Sequence, residues 1–100
     1  MLERTVWRQH HNENSFREEI AKYCNIEVID LIEDDKDLYA VLKAKLTKKE
    51  LKIFAMDTAD ESAESIKREL ACDDEELEKA KFKLYKKLKQ DKTRLSFRSL

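Results

Sequence analysis

The sequence contains neither glycine nor proline among its 100 residues. These two residues most often form tight turns and interrupt helices, whereas Lys, Glu, Leu and Ala, which are frequent here, favour helix. A chain of this length supports one compact core. The composition therefore predicts a single all-α domain, built as a small helical bundle.

Long apolar runs are also missing. A helix that crosses a bilayer needs roughly 20 consecutive apolar residues, and the start Met-Leu-Glu-Arg lacks the hydrophobic stretch of a secretory signal. Charged residues make up 43% of the chain and hydrophobic residues 41%, which is enough for a core beneath a highly charged surface. We expect a folded cytoplasmic protein with no membrane partner.

The sequence has few cysteine and histidine residues, two kinds that act as nucleophiles or bind metals. Cys24 and Cys72 each lie beside apolar helical positions, which indicates buried, reduced thiols; a redox role or an intermolecular disulfide is the alternative. His10 and His11 are adjacent, so they do not form an i, i+4 metal pair. The sequence has no glycine-rich phosphate loop and no arrangement of a nucleophile with a base. We therefore expect no enzyme, cofactor, metal or small-molecule substrate.

The chain divides into an arm, a domain and a tail. Residues 1–14 end in a polar stretch and are predicted to form a flexible N-terminal arm; a short helix followed by a linker is the alternative. Residues 15–92 are predicted to form the domain, with N-terminal helices over 15–45; residues 26–32 permit a strand, but helix or turn is favoured because no second strand matches them. In the tail, residues 93–100, apolar and polar residues alternate, which suits an extended arm on a partner or on the core, or disorder.

Several short polar residues are predicted to begin helices, because their side chains can accept hydrogen bonds from the free amides of a first turn. The clearest is Thr47, which forms a capping box with Glu50 between Leu46 and Leu51 and predicts a helix from about Lys48. The other predicted starts are Ser15 with Glu18, the acidic cluster at 33–37, Ser62, and Asp73 with Glu76. The helix that follows Asp73 is expected to be the longest and to end near Gln90.

The second half of the chain has the spacing of a helix-turn-helix. One helix is followed by a short helix of about eight residues, a turn of about three and a long final helix. Apolar residues at spacings of three and four are expected to join these helices in one core. They are Leu51, Phe54, Ile66, Leu70, Leu77, Leu84 and Leu88.

Three segments of this unit resemble region four of bacterial sigma factors and the related output domains of response regulators. They are Leu-Thr-Lys-Lys-Glu-Leu-Lys-Ile-Phe at 46–54, Ser-Ala-Glu-Ser-Ile-Lys-Arg-Glu-Leu at 62–70, and a last segment that ends Leu-Tyr-Lys-Lys-Leu-Lys at 84–89. The resemblance covers about residues 46–90, and the offsets from Leu70 to Leu88 match without a gap. It implies a helix-turn-helix module that binds double-stranded DNA in a transcription-related role.

Charge is strongly separated along this half. Residues 57–78 hold ten acidic and two basic side chains, whereas 81–100 hold eight basic and one acidic. The basic residues are candidates to contact phosphates, although a solvated lysine face is the common alternative. They are Lys79, Lys81, Lys83, Lys86, Lys87, Lys89 and Arg94, with Lys92 and Arg98 beyond them.

The last helix departs from the family pattern at its start. Where the family presents Arg, Gln, Ser or Thr to DNA, this chain has Asp74, Glu75, Glu76 and Glu78, which phosphates repel and which also suit a helix start. The alternative function is therefore a protein-interaction module, in which these acids dock on a protein of the transcription machinery. Exposed Trp7 or Phe97 would supply its apolar anchors. The oligomeric state is left open.

Overall fold

The structure is a computed structural model that describes residues 5–12 and 15–99. In these residues the only pairing of strand type is an isolated antiparallel bridge between Leu31 and Arg98. The predicted all-α class is confirmed. The helices are α1 (Val6–His10), α2 (Phe16–Cys24), α3 (Asp35–Lys45), α4 (Lys48–Thr58), α5 (Ala63–Leu70), α6 (Asp74–Lys89) and α7 (Asp91–Arg94), with 3₁₀ turns at Val28–Asp30 and Leu95–Phe97.

Helix α4 lies at the centre of the bundle and contacts α1, α3, α5 and α6. Ile53, Phe54 and Ala55 are consecutive and all inaccessible to solvent. Since successive side chains of a helix point about 100° apart, α4 is covered by neighbours on several sides. A helix that is apolar over most of its surface is stable only when neighbours cover it. The amphipathic helices around α4 supply that cover and leave their own charged faces in water.

The predicted tri-helical core is present. Helices α4, α5 and α6 begin and end close to the predicted positions. Six of the seven predicted core residues lie in one buried cluster, and the seventh, Leu70, is partly buried beside it. The six are Leu51, Phe54, Ile66, Leu77, Leu84 and Leu88. Four predicted helix starts are also confirmed. In the acidic cluster at 33–37, Asp34 caps α3 and accepts a hydrogen bond from the amide of Lys36. Thr47 and Asp73 each form a capping box, and Ser62 accepts a hydrogen bond from the amide of Ser65.

The N-terminal capping prediction is wrong in its mechanism. Helix α2 begins at Phe16, as expected, but the Ser15 side chain makes no capping hydrogen bond. Its backbone, at φ −85° and ψ 2°, is not in the extended conformation that an N-cap residue normally adopts. The α2 helix is therefore held by its buried face, where Phe16 and Ile20 are inaccessible to solvent.

For residues 5–12 the prediction of a flexible N-terminal arm is wrong, and the alternative of a short helix is correct, because α1 spans Val6–His10. Thr5 caps α1, and Trp7 on that helix is completely buried against Phe16 and Phe54. The His11 ring nitrogen Nε2 lies 3.0 Å from the carbonyl oxygen of Ala55 on α4. The sequence did not predict this packing, because the residues that follow Trp7 are polar and show no apolar spacing. Residues 1–4, 13 and 14 of the predicted arm lie outside the described residues.

The C-terminal segment packs on the chain's own core. Phe97 is completely buried, and its carbonyl oxygen accepts a hydrogen bond from the Ile32 amide at 3.0 Å. The Ser99 amide donates to the Asp30 carbonyl oxygen at 2.7 Å. The predicted packing of the tail on the chain's own core is thus correct for residues 93–99, but the predicted extended conformation is wrong, because α7 and a 3₁₀ turn occupy most of this segment. Residue 100 lies outside the described residues.

In the described part of the chain, no helix is both long enough and apolar enough to span a bilayer.

Candidate interaction surface

Helix α6 carries most of the predicted site residues. Its start is fixed by the Asp73 capping box, in which the Asp73 carboxylate accepts from the Glu76 amide at 2.8 Å and the Glu76 carboxylate accepts from the Asp73 amide at 3.3 Å. One face of the helix is buried through Leu77, Leu84 and Leu88, against α2 and α4. The opposite face, about 24 Å long for 16 residues, points to solvent.

The acidic residues at the start of α6 have structural partners, with one exception. Asp74 accepts from Lys67 at 2.6 Å, and its carboxylate is the main reason that the pKa of Lys67 is raised. Glu75 pairs with Lys79 at 3.2 Å. Glu78 is exposed, and no basic side chain of the described residues lies within ion-pair distance of it.

Four of the seven predicted phosphate-binding residues are engaged in ion pairs within the chain. Besides the Glu75–Lys79 pair, Lys81 binds Asp57 at 3.1 Å and Lys87 binds Glu50 at 2.6 Å. Arg94 pairs with Asp91 at 3.0 Å, and its guanidinium also donates to the Cys24 carbonyl oxygen at 3.4 Å. The pairs of Lys81 and Lys87 join α6 to α4, and the Arg94 contact with Cys24 joins α7 to α2, whereas the other two pairs each lie within one helix.

The Lys87–Glu50 ion pair joins α6 to the first turn of α4. The Glu50 side chain is only 12% exposed. Burial acts to raise the pKa of Glu50, but hydrogen bonds from Lys87 and from the Thr47 amide outweigh it and hold the pKa below its ordinary value. Glu50 is therefore charged at neutral pH, and Lys87 is held in place as its counter-ion.

A second contact fixes the middle of α6. The Tyr85 hydroxyl donates a hydrogen bond to Asp57, and the Tyr85 ring stacks on Tyr23 of α2 with centroids 4.6 Å apart. Burial and the neighbouring Asp57 carboxylate both raise the pKa of Tyr85. Tyr85 is therefore a neutral donor that joins α2, α4 and α6, and its hydroxyl group is engaged within the chain.

Three of the predicted basic residues remain on the solvent side of α6. Lys83, Lys86 and Lys89 are exposed, and none forms an ion pair with a side chain of residues 5–12 or 15–99. Lys92 and Arg98 are exposed as well. The structure thus reduces the predicted basic surface of α6 to three lysines.

The sequence interpretation missed Phe82, which is 67% exposed in the middle of α6. At 100° per residue it lies about 140° around the helix from Leu77, on the side opposite the core. The Lys86 ammonium group stands 5.8 Å from its ring centroid. The signal was available, because Phe82 does not fit the spacing of three and four that links the buried leucines.

Two open grooves flank Phe82. One, of about 710 Å³, runs toward α4 and is lined by Lys49, Lys79, Ala80 and Lys83 among others. The other, of about 680 Å³, is lined by residues that include Asp57, Tyr85, Lys86 and Lys89. Both have mostly apolar walls, formed by the rings and by the aliphatic parts of the lysines. Phe82 and these grooves make one apolar patch with a charged rim.

Comparison with known protein families, with curated proteins and with solved structures gave no match. The resemblance to sigma factor region four therefore stays a prediction.

The two aromatic residues predicted as partner anchors do not face solvent. Trp7 and Phe97 are both 0% exposed, and each fills the chain's own core. Their prediction as exposed anchors is wrong, because large aromatic side chains near the ends of a small domain contribute strongly to burial. Phe82 is the aromatic side chain that the structure offers to a partner.

Reactive chemistry has little support in the described residues. Cys24 and Cys72 are both free; Cys24 is buried, which raises the pKa of its thiol to about 12, and Cys72 is partly buried. A thiol with so high a pKa is a poor nucleophile. No three His, Cys, Asp or Glu side chains of the described residues converge in a way that could hold a metal ion. The arrangement around α6 suits binding.

Proposed function

We propose that this chain is a non-enzymatic protein-interaction module that docks through the outer face of α6. This outer face consists of Glu75, Glu78, Lys79, Phe82, Lys83, Lys86 and Lys89, all exposed. The exposure of Phe82 carries the proposal. Burying a phenylalanine side chain gains about 1.5–3 kcal/mol, and an aromatic centre within a charged rim is the usual composition of a protein interface.

Nucleic-acid binding in a transcription-related role is the second candidate. It is favoured by Lys83, Lys86 and Lys89, and by the absence of acidic residues between 79 and 90. It has less support than protein docking because four of the seven predicted cations are already paired. In addition, each acid at the helix start would repel a contacting phosphate by about 1 kcal/mol even at the dielectric constant of water.

Site-specific photo-crosslinking in cells tests the proposal. A photoreactive phenylalanine analogue replaces Phe82 in one variant and Ala44, which is exposed on α3, in the matched control. We expect a protein adduct from position 82 and none from position 44. An adduct with nucleic acid would support the second candidate instead, and the absence of any adduct at position 82 would contradict both.

A titration with random duplex DNA separates the two candidates directly. Under the proposal, binding is undetectable even at about 50 mM salt, where phosphate contacts are strongest. Under the second candidate, binding is detectable, weakens steeply with salt, and is lost when Lys86→Glu is combined with Lys89→Glu. Lys36→Glu is the control, because Lys36 is exposed and lies on α3, outside the proposed surface.

A further inference from the structure

We propose that the partner on the α6 outer face is a second copy of this chain, bound antiparallel through α6 about a two-fold axis at Phe82. This inference rests on the proposed function and names the partner. Its basis is that the outer face is complementary to itself in shape and in charge when one copy is turned end over end.

The charges along α6 are arranged symmetrically about Phe82, which lies at the middle of Asp74–Lys89. Glu78 stands four residues before Phe82 and Lys86 four residues after it; Glu75 stands seven before and Lys89 seven after. In an antiparallel two-fold pair, residues at equal distances before and after the axis face each other. Each acid of one copy therefore faces a lysine of the other, and Phe82 faces Phe82.

These residues form one continuous stripe. Glu75, Glu78, Phe82, Lys86 and Lys89 are separated by three, four, four and three positions, which is the spacing at which side chains line up along one side of a helix for pairing with another helix. All are exposed. The stripe lies opposite the buried leucines, so a second α6 could dock on it without disturbing the core.

Charge also selects the orientation. In a parallel pair, Glu78 would face Glu78 and Lys86 would face Lys86, and like charges at such distances repel. The antiparallel pair converts each repulsion into an attraction, and it gives Glu78, which has no ion-pair partner among the described residues, a lysine at the facing position. Exposed pairs of this kind contribute more to orientation than to affinity.

The grooves beside Phe82 provide room for the partner's ring. Glu78, Lys79, Phe82 and Lys83 are among the residues that line the larger groove, which has a volume of about 710 Å³ and is large enough to receive an aromatic side chain. A Phe82 ring from the second copy would lie there against the first Phe82 ring, with the lysine chains around it. With one aromatic residue from each copy and a helix of about 24 Å, the dimer belongs to the weak and transient class.

The first test of this inference is sedimentation velocity of the purified protein over a series of protein concentrations. We expect a reversible shift from the 11.9 kDa monomer toward the dimer between about 10 µM and 1 mM, the range of a weak complex. Phe82→Ala should raise the dissociation constant at least about tenfold, as the loss of a central aromatic contact does. Lys36→Glu combined with Lys45→Glu on α3 is the matched control and should leave self-association unchanged.

A charge exchange provides the decisive experiment. One variant combines Glu75→Lys with Glu78→Lys, so that its stripe is entirely basic; the other combines Lys86→Glu with Lys89→Glu, so that its stripe is entirely acidic. Each variant alone should be monomeric, and an equimolar mixture should form a one-to-one dimer. Circular dichroism checks that both are folded. A variant that had merely lost its structure would not be rescued by mixing.

Two results would overturn the inference: a protein that stays monomeric at about 1 mM, where even weak specific pairs are populated, or charge variants that fail to pair when mixed. If the protein is monomeric but position 82 crosslinks to a different protein in cells, this inference fails and the proposed function stands. If position 82 crosslinks only to nucleic acid, both fail.

Discussion

Ala71 holds a left-handed backbone conformation, at φ 51° and ψ 48°, where α5 ends. Its β-carbon makes this conformation unfavourable by about 1–2 kcal/mol, and glycine adopts it freely. We expect Ala71→Gly to raise the free energy of unfolding by about 0.5–1 kcal/mol, because the gain is partly offset by the greater freedom of glycine in the unfolded chain. Urea denaturation measures the difference.

The same substitution inside a helix gives the control. Ala44 is exposed within α3, and there Ala44→Gly should lower the free energy of unfolding by about 1 kcal/mol. Opposite signs for one chemical change would show that the backbone angle at Ala71 is responsible. Destabilisation by both variants would contradict the prediction.

Trp7 gives the largest effect expected of a single residue. Because its side chain is completely buried, Trp7→Ala should lower the free energy of unfolding by about 3–5 kcal/mol, a large part of the 5–15 kcal/mol typical of a domain. Thermal denaturation followed by circular dichroism measures this loss. Ile29→Ala is the control, since Ile29 is 89% exposed and should contribute less than about 0.5 kcal/mol.

The position of a residue in the fold was predictable from the sequence where it depends only on neighbouring residues in the chain. The buried leucines of α6 follow from helical spacing, and the acids at its start follow from capping. The burial of Trp7 did not follow, because it depends on α4, more than forty residues later in the chain. Spacing places a residue on one side of a helix, but it does not show which other helix will cover it.

At the scale of whole helices, we expect the stability of the chain to depend on some N-cap residues and not on others. Asp73→Ala removes one half of the capping box that begins α6 and should lower the free energy of unfolding by about 1 kcal/mol. Ser15→Ala is the matched control, because Ser15 precedes α2 but makes no capping hydrogen bond. Equal losses in the two variants, measured by urea denaturation, would contradict the structural difference between these helix starts.

The link between α4 and α6 predicts a dependence on pH. The folded chain lowers the pKa of Glu50, so the stabilisation is complete above the ordinary pKa of a glutamate, about 4.3, and is lost as pH falls through the lower folded value. Glu50→Gln should therefore cost about 1–2 kcal/mol at pH 7 and less at pH 3. Urea denaturation at both pH values measures this.

Glu61→Gln serves as the control for this pH experiment, because Glu61 is exposed between α4 and α5. Its effect should stay below about 0.5 kcal/mol at both pH values. A cost of Glu50→Gln that was as large at pH 3 as at pH 7 would show that the charge of Glu50 is not the source of the stabilisation.

Helix boundaries in the second half of the chain were predictable, because caps and apolar spacing agree there. The interaction surface was predictable only as a region. The sequence indicates that α6 bears many lysines, but the pairing of Lys81 with Asp57 and of Lys87 with Glu50 depends on how α4 packs against α6. Which charges remain free for a partner is therefore a property of the packed bundle.

At the scale of the molecule, distant segments of the chain close the core together. Phe97 is buried, the 3₁₀ turn that carries it contacts α3, and the 30–32 segment hydrogen-bonds to residues 97 and 99. Removal of residues 91–100 would expose that part of the core, so we expect the truncated chain to unfold at a temperature at least 10 °C lower, as a loss of several kcal/mol produces in a domain of this size.

The full-length variant Phe97→Ala separates the side chain from the rest of that segment. It should reproduce most of the loss, about 3–5 kcal/mol, because the completely buried Phe97 ring is the main apolar contribution of residues 91–99. Arg98→Ala, an exposed neighbour, is the control. A truncated chain as stable as the intact one would contradict the described packing.

The parallel stacking of Trp7 on His11, with ring centroids 3.9 Å apart, gives the molecule an internal optical probe. Trp7 is the only tryptophan in the chain, so the indole emission comes from one site, where α1 meets α4. An imidazole ring in van der Waals contact can quench that emission. Because the Trp7 ring also contacts Phe16 of α2 and Phe54 of α4, a change in its fluorescence reports the loss of packing where these three helices meet.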